Sequence, residues 1–303
     1  LMGESLARGL FSLFIGLVAT LLASGRAQCV LGNHELNLLR GAQKPANGWF
    51  FPEDHDRQHG HFVDVARATA ADRDAIRAFF AGLPLALERP DLRVVHAAWH
   101  APSLATLADE LRVADVATVY QAHQDQVERQ LAPGLRQQLA AEYRGWGKQL
   151  ADPDQPVPLL PGIAQFDAAF QMGNPVRVVT FGVEQPAPAA FFASGKWRMV
   201  DRVPWWDDYR DPVPVVFGHY WRWADPASHA RYSRGERNLF HGQSPDAWLG
   251  PGRNAFCVDY SVGMRYRQRP LPPGGRYAGR LAALRWPERE LVFDDGEHRV
   301  TTA

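Results

Sequence analysis

Three short β-branched runs, each ending on a side chain able to hold a metal ion, constrain this chain more than any other feature. The first is Val30-Leu31-Gly32-Asn33-His34-Glu35, an apolar run that breaks at a glycine into three polar residues. The second is Leu92-Arg93-Val94-Val95-His96-Ala97, and the third is Val213-Pro214-Val215-Val216-Phe217-Gly218-His219. Such runs read as buried strands, with the polar residues where strand gives way to loop. In an open α/β sheet the loops at the carboxyl ends of the strands converge on one crevice. Asn33, His96 and His219 are therefore expected to surround one ion. An amide oxygen and two imidazoles suit a first-row metal such as Mn, Fe or Zn. Taken singly, each histidine is better explained as the cap of a core strand bonded to a backbone carbonyl. The repetition of the pattern favours the shared site.

The same residues carry a family resemblance. Gly32-Asn33-His34-Glu35, then Val95-His96-Ala97, then Gly218-His219 resemble three of the ordered motifs of the calcineurin-like metallophosphoesterases. The branch they resemble holds bacterial Ser/Thr-type protein phosphatases and symmetrical diadenosine tetraphosphatases. The resemblance implies an α/β fold, the metallophosphoesterase-type α-β-β-α sandwich of two mixed sheets, as one domain over residues 1–303. It implies two divalent metals (Mn, Fe or Zn), one of them held by Asn33, His96 and His219. It also implies that His34 protonates the leaving oxygen.

Gly3-Glu4-Ser5-Leu6-Ala7-Arg8-Gly9 falls where the family's Gly-Asp-x-x-Asp-Arg-Gly motif belongs. Glu4 stands in place of the metal-bridging aspartate, and Ala7 in place of the aspartate that orients the catalytic histidine. Arg8 keeps the arginine that grips the phosphate and acts in catalysis. The family's first motif, Asp-x-His, has no counterpart, which fits a start downstream of it. The expectation is a single retained metal and weak hydrolysis of a phosphomonoester or phosphoanhydride. The implied substrate is a phosphorylated small molecule, a nucleotide or a phosphoprotein. The alternative is a non-catalytic protein of the same fold that grips a nucleotide or phosphate through Arg8, Arg222 and nearby tryptophans.

Composition narrows the partners. Lys and Arg total 33 against 33 Asp and Glu, so a non-specific grip on nucleic acid or on an acidic membrane is not expected. The only cysteines, Cys29 and Cys257, lie in apolar runs. They read as buried thiols of a reducing compartment, hence a cytoplasmic protein. Residues 10–23 are apolar but too short to span a bilayer as a helix. They read as a core helix ended by Ser24-Gly25, or as a signal peptide cleaved between Ala23 and Ala27.

The remaining stretches supply the frame. Leu36 to Arg40 reads as a short helix stopped by Gly41, and Ala71 to Phe80 has helical apolar spacing. Leu85 to Glu88 and Arg93 to Val95 read as a hairpin around Arg89-Pro90-Asp91. Residues 101–160 read as a helical insertion or cap with a break at Pro133-Gly134, ending in a proline-rich connector. His55, His59 and His61 sit in a polar loop, and His100 follows His96 at one turn's spacing. Lys196 to Arg202 and Pro204 to Arg210 interleave basic and aromatic residues. That pattern suits base stacking with phosphate neutralisation, or plain bracing of the next strand. Arg222 is a candidate phosphate clamp by its fork geometry. Ala255 to Tyr260, Arg280 to Trp286 and Glu290 to Phe293 read as the strands of a second sheet.

Overall fold

The computed structural model describes residues 15–44, 47–51, 68–193, 195–233, 236–269, 271 and 275–302. Glu4 and Arg8, together with His55, His59 and His61, lie outside the described residues. The first described element is helix α1, residues 15–23, which ends before Gly25 at a left-handed φ of 68°. It is half-buried and not enclosed: Ile15 and Leu22 pack on the main core while Leu17 is 57% exposed.

Residues 27–32 belong to no helix or strand, so the expected strand does not form there. A bond from Leu31 N–H to Pro84 O, 2.8 Å, ties them to the residues just ahead of the first hairpin. Helix α2, Asn33–Leu39, begins directly after Gly32, whose N–H is accepted by Glu35 Oε2 at 3.1 Å. That bond satisfies an amide at the helix start. His34 and Glu35 therefore belong to a first helical turn, where the sequence suggested a loop. Helix α3, Ala70–Ala81, starts on the Thr69–Asp72 capping box and buries Ile76 and Phe80.

Strands β1, Ala86–Glu88, and β2, Arg93–Val95, form the expected antiparallel hairpin. A helical stretch follows: α4, Ala101–Glu110; α5, Val116–Gln130; α6, Pro133–Trp146; α7, Pro161–Met172; and α8, Pro175–Phe181. Pro133 opens α6, because a first-turn proline sacrifices no helical hydrogen bond. Three helices thus precede the connector where two were expected. Glu142 of α6 accepts the first amides of α7, Gly162 N–H and Ile163 N–H, both at 2.8 Å.

The chain then forms the antiparallel pair β3, Glu184–Ala193, and β4, Lys196–Arg202. After these come β5, Val215–Phe217; helix α9, Ala227–Tyr232; β6, Ala255–Cys257; β7, Ala282–Arg285; β8, Glu290–Phe293; and β9, His298–Val300. Among the described residues three small sheets result: β1-β2-β5-β6, β3-β4 and β7-β8-β9. The protein is mixed α/β. Of these sheets the first alone is mixed, with β2, β5 and β6 parallel, which differs from the expected pair of mixed sheets. Ala255–Cys257 also joins the first sheet, where the sequence reading placed it in the second. Alternation along a strand specifies which side chains are buried but not which strand lies beside it.

Burial on both faces explains the apolar runs. Val215, Phe217, Ala255 and Cys257 face the main core with Leu31, Leu36, Val95, Trp205 and Trp206. Val216 and Phe256 face the opposite cluster with Trp248, Tyr260, Leu291 and Phe293. Successive side chains of a strand point to opposite faces, so a strand covered on both sides has no polar position to spare. Among the described residues no helix is long and apolar enough to cross a membrane.

Candidate functional site

Strands β2, β5 and β6 lie side by side and end at one edge. The ladder continues one step past them, with Gly218 N–H bonded to His96 O at 2.9 Å and Val258 N–H to Phe217 O at 2.8 Å. His96 and His219 emerge at that edge, their ring centroids 5.2 Å apart. Asn33 meets them from the start of α2, its Oδ1 2.9 Å from His96 Nε2. The three residues singled out from sequence come together. A Cβ on Gly32 would lie 2.8 Å from the His96 ring and 2.6 Å from Glu35 Oε2, so this approach requires glycine. His34 is exposed at the head of α2, and its charge bears on both half-buried histidines.

The turn that carries His219 is strained. His219 and Trp221 have φ of 67° and 56°, a left-handed conformation that costs about 1–2 kcal/mol for each non-glycine residue. The half-buried Asp259 carboxylate holds it, accepting the backbone N–H groups of Ser261 (2.9 Å), Trp221 and His219. Burial raises the Asp259 carboxyl above its ordinary range, opposed by those amides and by Arg202. Asp259 is thus a part of the site that the sequence reading missed. Its signal was present: Ala255-Phe256-Cys257-Val258-Asp259 repeats the pattern of an apolar run ending on a polar residue.

Arg202, at the end of β4 and of the basic and aromatic run, is the second residue whose place beside His219 the sequence did not reveal. Its Nη2 lies 2.9 Å from His219 Nε2, and its Nη1 donates to His219 O at 3.0 Å. The His219 ring also donates to the Phe181 carbonyl. Arg202 only donates, so Nε2 is the lone-pair nitrogen and Nδ1 carries the proton. Burial first, then the charges of His34 and Arg202, push His96 down to about 4. Burial also holds His219 well below the ordinary imidazole range, helped by Arg202, His96 and His34. Both rings are therefore neutral at pH 7, the form that ligates metal.

Two neutral imidazoles and an amide oxygen fit a first-row divalent ion in donor chemistry. Among the described residues no three His, Cys, Asp or Glu side chains gather, so the amide of Asn33 is an essential part of that fit. His219 would offer Nε2 to such an ion, the nitrogen that the Arg202 guanidinium faces.

The other sequence candidates lie elsewhere. Arg222 is only 1% exposed, with Nη2 donating to Ser244 O and Ala247 O and its guanidinium against Phe240, Phe256 and Tyr260. It is sealed in the interior, where the fork geometry had made it a candidate phosphate clamp. Trp205 and Trp206 are braces and not stacking platforms: Trp205 Nε1 donates to Ala97 O at 3.0 Å, and Trp206 stacks on Phe217 and Phe240. Trp221, by contrast, is 41% exposed beside His219. His100 caps α4 through Ser103. No protein-family model, curated protein or solved structure matches this chain.

Proposed function

We propose that the chain is a metal-dependent phosphoesterase acting on a phosphomonoester or phosphoanhydride. The observation that carries this reading is the meeting of Asn33, His96 and His219 at the carboxyl edge of one sheet. These three would hold a divalent ion (Mn, Fe or Zn), which supplies polarisation of the phosphoryl group and a more acidic attacking water. His34, exposed at the head of α2, donates a proton to the leaving oxygen. Arg202 brings its guanidinium to the phosphate oxygens, where charge-assisted forked hydrogen bonds are strongest. Trp221 gives the body of the substrate an aromatic face. Glu4 and Arg8 would complete the site from outside the described residues, and the reading takes the mixed sheet as the heart of an α-β-β-α sandwich. Two free thiols, Cys29 and Cys257, suit the cytoplasm.

A specific contact favours a second reading, a phosphate-binding protein without turnover. Arg202 occupies the lone-pair side of His219, as a cation that serves an anion and competes with a metal. Calorimetric titration of Mn2+ separates the two, run beside hydrolysis of p-nitrophenyl phosphate. The enzyme reading expects Mn2+ binding that Asn33→Ala and His219→Ala abolish, and slow Mn2+-dependent turnover that His34→Ala removes. Phosphate binding with no Mn2+ binding and no turnover would leave the second reading in its place.

A further inference from the structure

A second cationic feature lies next to the histidine cluster. Arg40, at the end of α2, lays its guanidinium on the face of Tyr120, 3.5 Å from the ring centroid. Arg177, in the first turn of α8, donates from Nη1 to the hydroxyl of that same Tyr120 at 3.1 Å. Tyr120 is 1% exposed, and Asn174 Nδ2 fixes its backbone by donating to Tyr120 O at 3.0 Å. Both arginines are half-buried. Their partners among the described residues are neutral: the Tyr120 ring and hydroxyl, Gln171 Oε1 on Arg177 Nε, and the Phe181 ring 5.3 Å from Arg177. Elsewhere in the chain arginines pair with carboxylates, as in Arg93–Asp211 and Arg265–Asp294.

Two guanidiniums gathered on one rigid phenol, with no counter-charge among the described residues, repel each other. Burial and the Arg177 charge accordingly lower Arg40 from the ordinary guanidinium range. An oxyanion relieves that repulsion, and a phosphate offers enough acceptor oxygens for two forks at once. The place is also right. The Phe181 ring beneath Arg177 stands 6.4 Å from the His219 ring, and Arg40 closes the same short helix that begins with Asn33 and His34.

We infer that Arg40, Arg177 and Tyr120 form a second oxyanion subsite, outside the histidine cluster, that takes a phosphate group. The group is either the distal phosphate of a substrate or a free phosphate ion. The inference goes beyond the proposed hydrolysis and needs neither metal nor turnover.

The test is calorimetric titration of the full chain with orthophosphate, pyrophosphate and adenosine diphosphate, in EDTA at low salt. Wild type is expected to bind at least one of them, and Arg40→Gln and Arg177→Gln each to weaken that binding about tenfold or more. Arg112→Gln, at an exposed arginine remote in role, is expected to change nothing. Arg177→Lys keeps a donor toward Tyr120 but loses the fork, and guards against a glutamine variant that fails to fold. An intermediate weakening is expected of it. Tighter binding of the two diphosphates than of orthophosphate, lost in Arg177→Gln, assigns the subsite to a distal substrate phosphate. Equal binding of orthophosphate assigns it to the free ion. Absence of binding by wild type, or unchanged binding by variants that melt like wild type, overturns the inference. Binding in EDTA without any turnover under Mn2+ sustains it while removing the enzyme reading.

Discussion

Gly32 is the residue on which the proposed ligand set turns. The space its missing Cβ leaves is filled by the His96 ring and the Glu35 carboxylate, both closer than 3 Å to where that carbon would sit. Gly32→Ala is expected to displace His96 from Asn33, weaken Mn2+ binding at least about tenfold and destabilise the fold by about 1–3 kcal/mol. Titration calorimetry and urea unfolding check the two effects together. Asp259 acts one step further back, by holding the left-handed turn at His219 and Trp221. Asp259→Asn turns part of an acceptor into a donor facing backbone N–H groups, at a cost of about 1–3 kcal/mol. Its Mn2+ affinity is expected to fall as the turn relaxes. The desolvated histidines give a pH signature. His96 titrates near 4 in the folded chain against an ordinary 6.5, so the unfolded chain binds more protons between those values. Stability is therefore present above about pH 6.5 and lost as pH falls toward 4. His96 alone accounts for on the order of 3 kcal/mol of this. Urea unfolding at pH 7 and pH 4.5 measures it, and His96→Gln is expected to flatten the difference.

At the scale of elements, the helices and the first hairpin follow from periodicity. Ile76 and Phe80 sit four apart, and α3 buries both. Leu85 to Glu88 and Arg93 to Val95 flank a Pro-Asp turn, and β1 and β2 pair there. Asn33, His96 and His219 were legible because a ligand-capable residue that ends a buried run is chemically out of place unless something uses it. Arg202 was legible only as one basic residue of the Lys196 to Arg202 run, and its contact with His219 joins residues seventeen apart that no local pattern links. Asp259 ends an apolar run as His96 and His219 do, but its bonds to backbone amides leave no trace in side-chain identity. The start of α2 was hidden for a related reason: Val30-Leu31 is apolar enough for a strand, but Gly32 and Glu35 begin a helix. The junction of α6 with α7 depends on a carboxylate reaching across the connector. Glu142→Ala is expected to free the Gly162 and Ile163 amides and cost about 1–2 kcal/mol, read as a lower Tm.

For the molecule as a whole, the parallel part of one sheet is buried on both faces and presents its chemistry at one edge. Side chains from β2, β5 and the head of α2 meet there, while Arg202 and Asp259 from β4 and the end of β6 fix His219. The measurement that bears most directly on this is X-ray absorption at the metal edge of the Mn2+-loaded chain. Two imidazoles and further oxygen ligands are expected around the ion, with one imidazole lost in His219→Ala. A spectrum with oxygen ligands alone, unchanged by His219→Ala, would contradict a metal held between Asn33, His96 and His219.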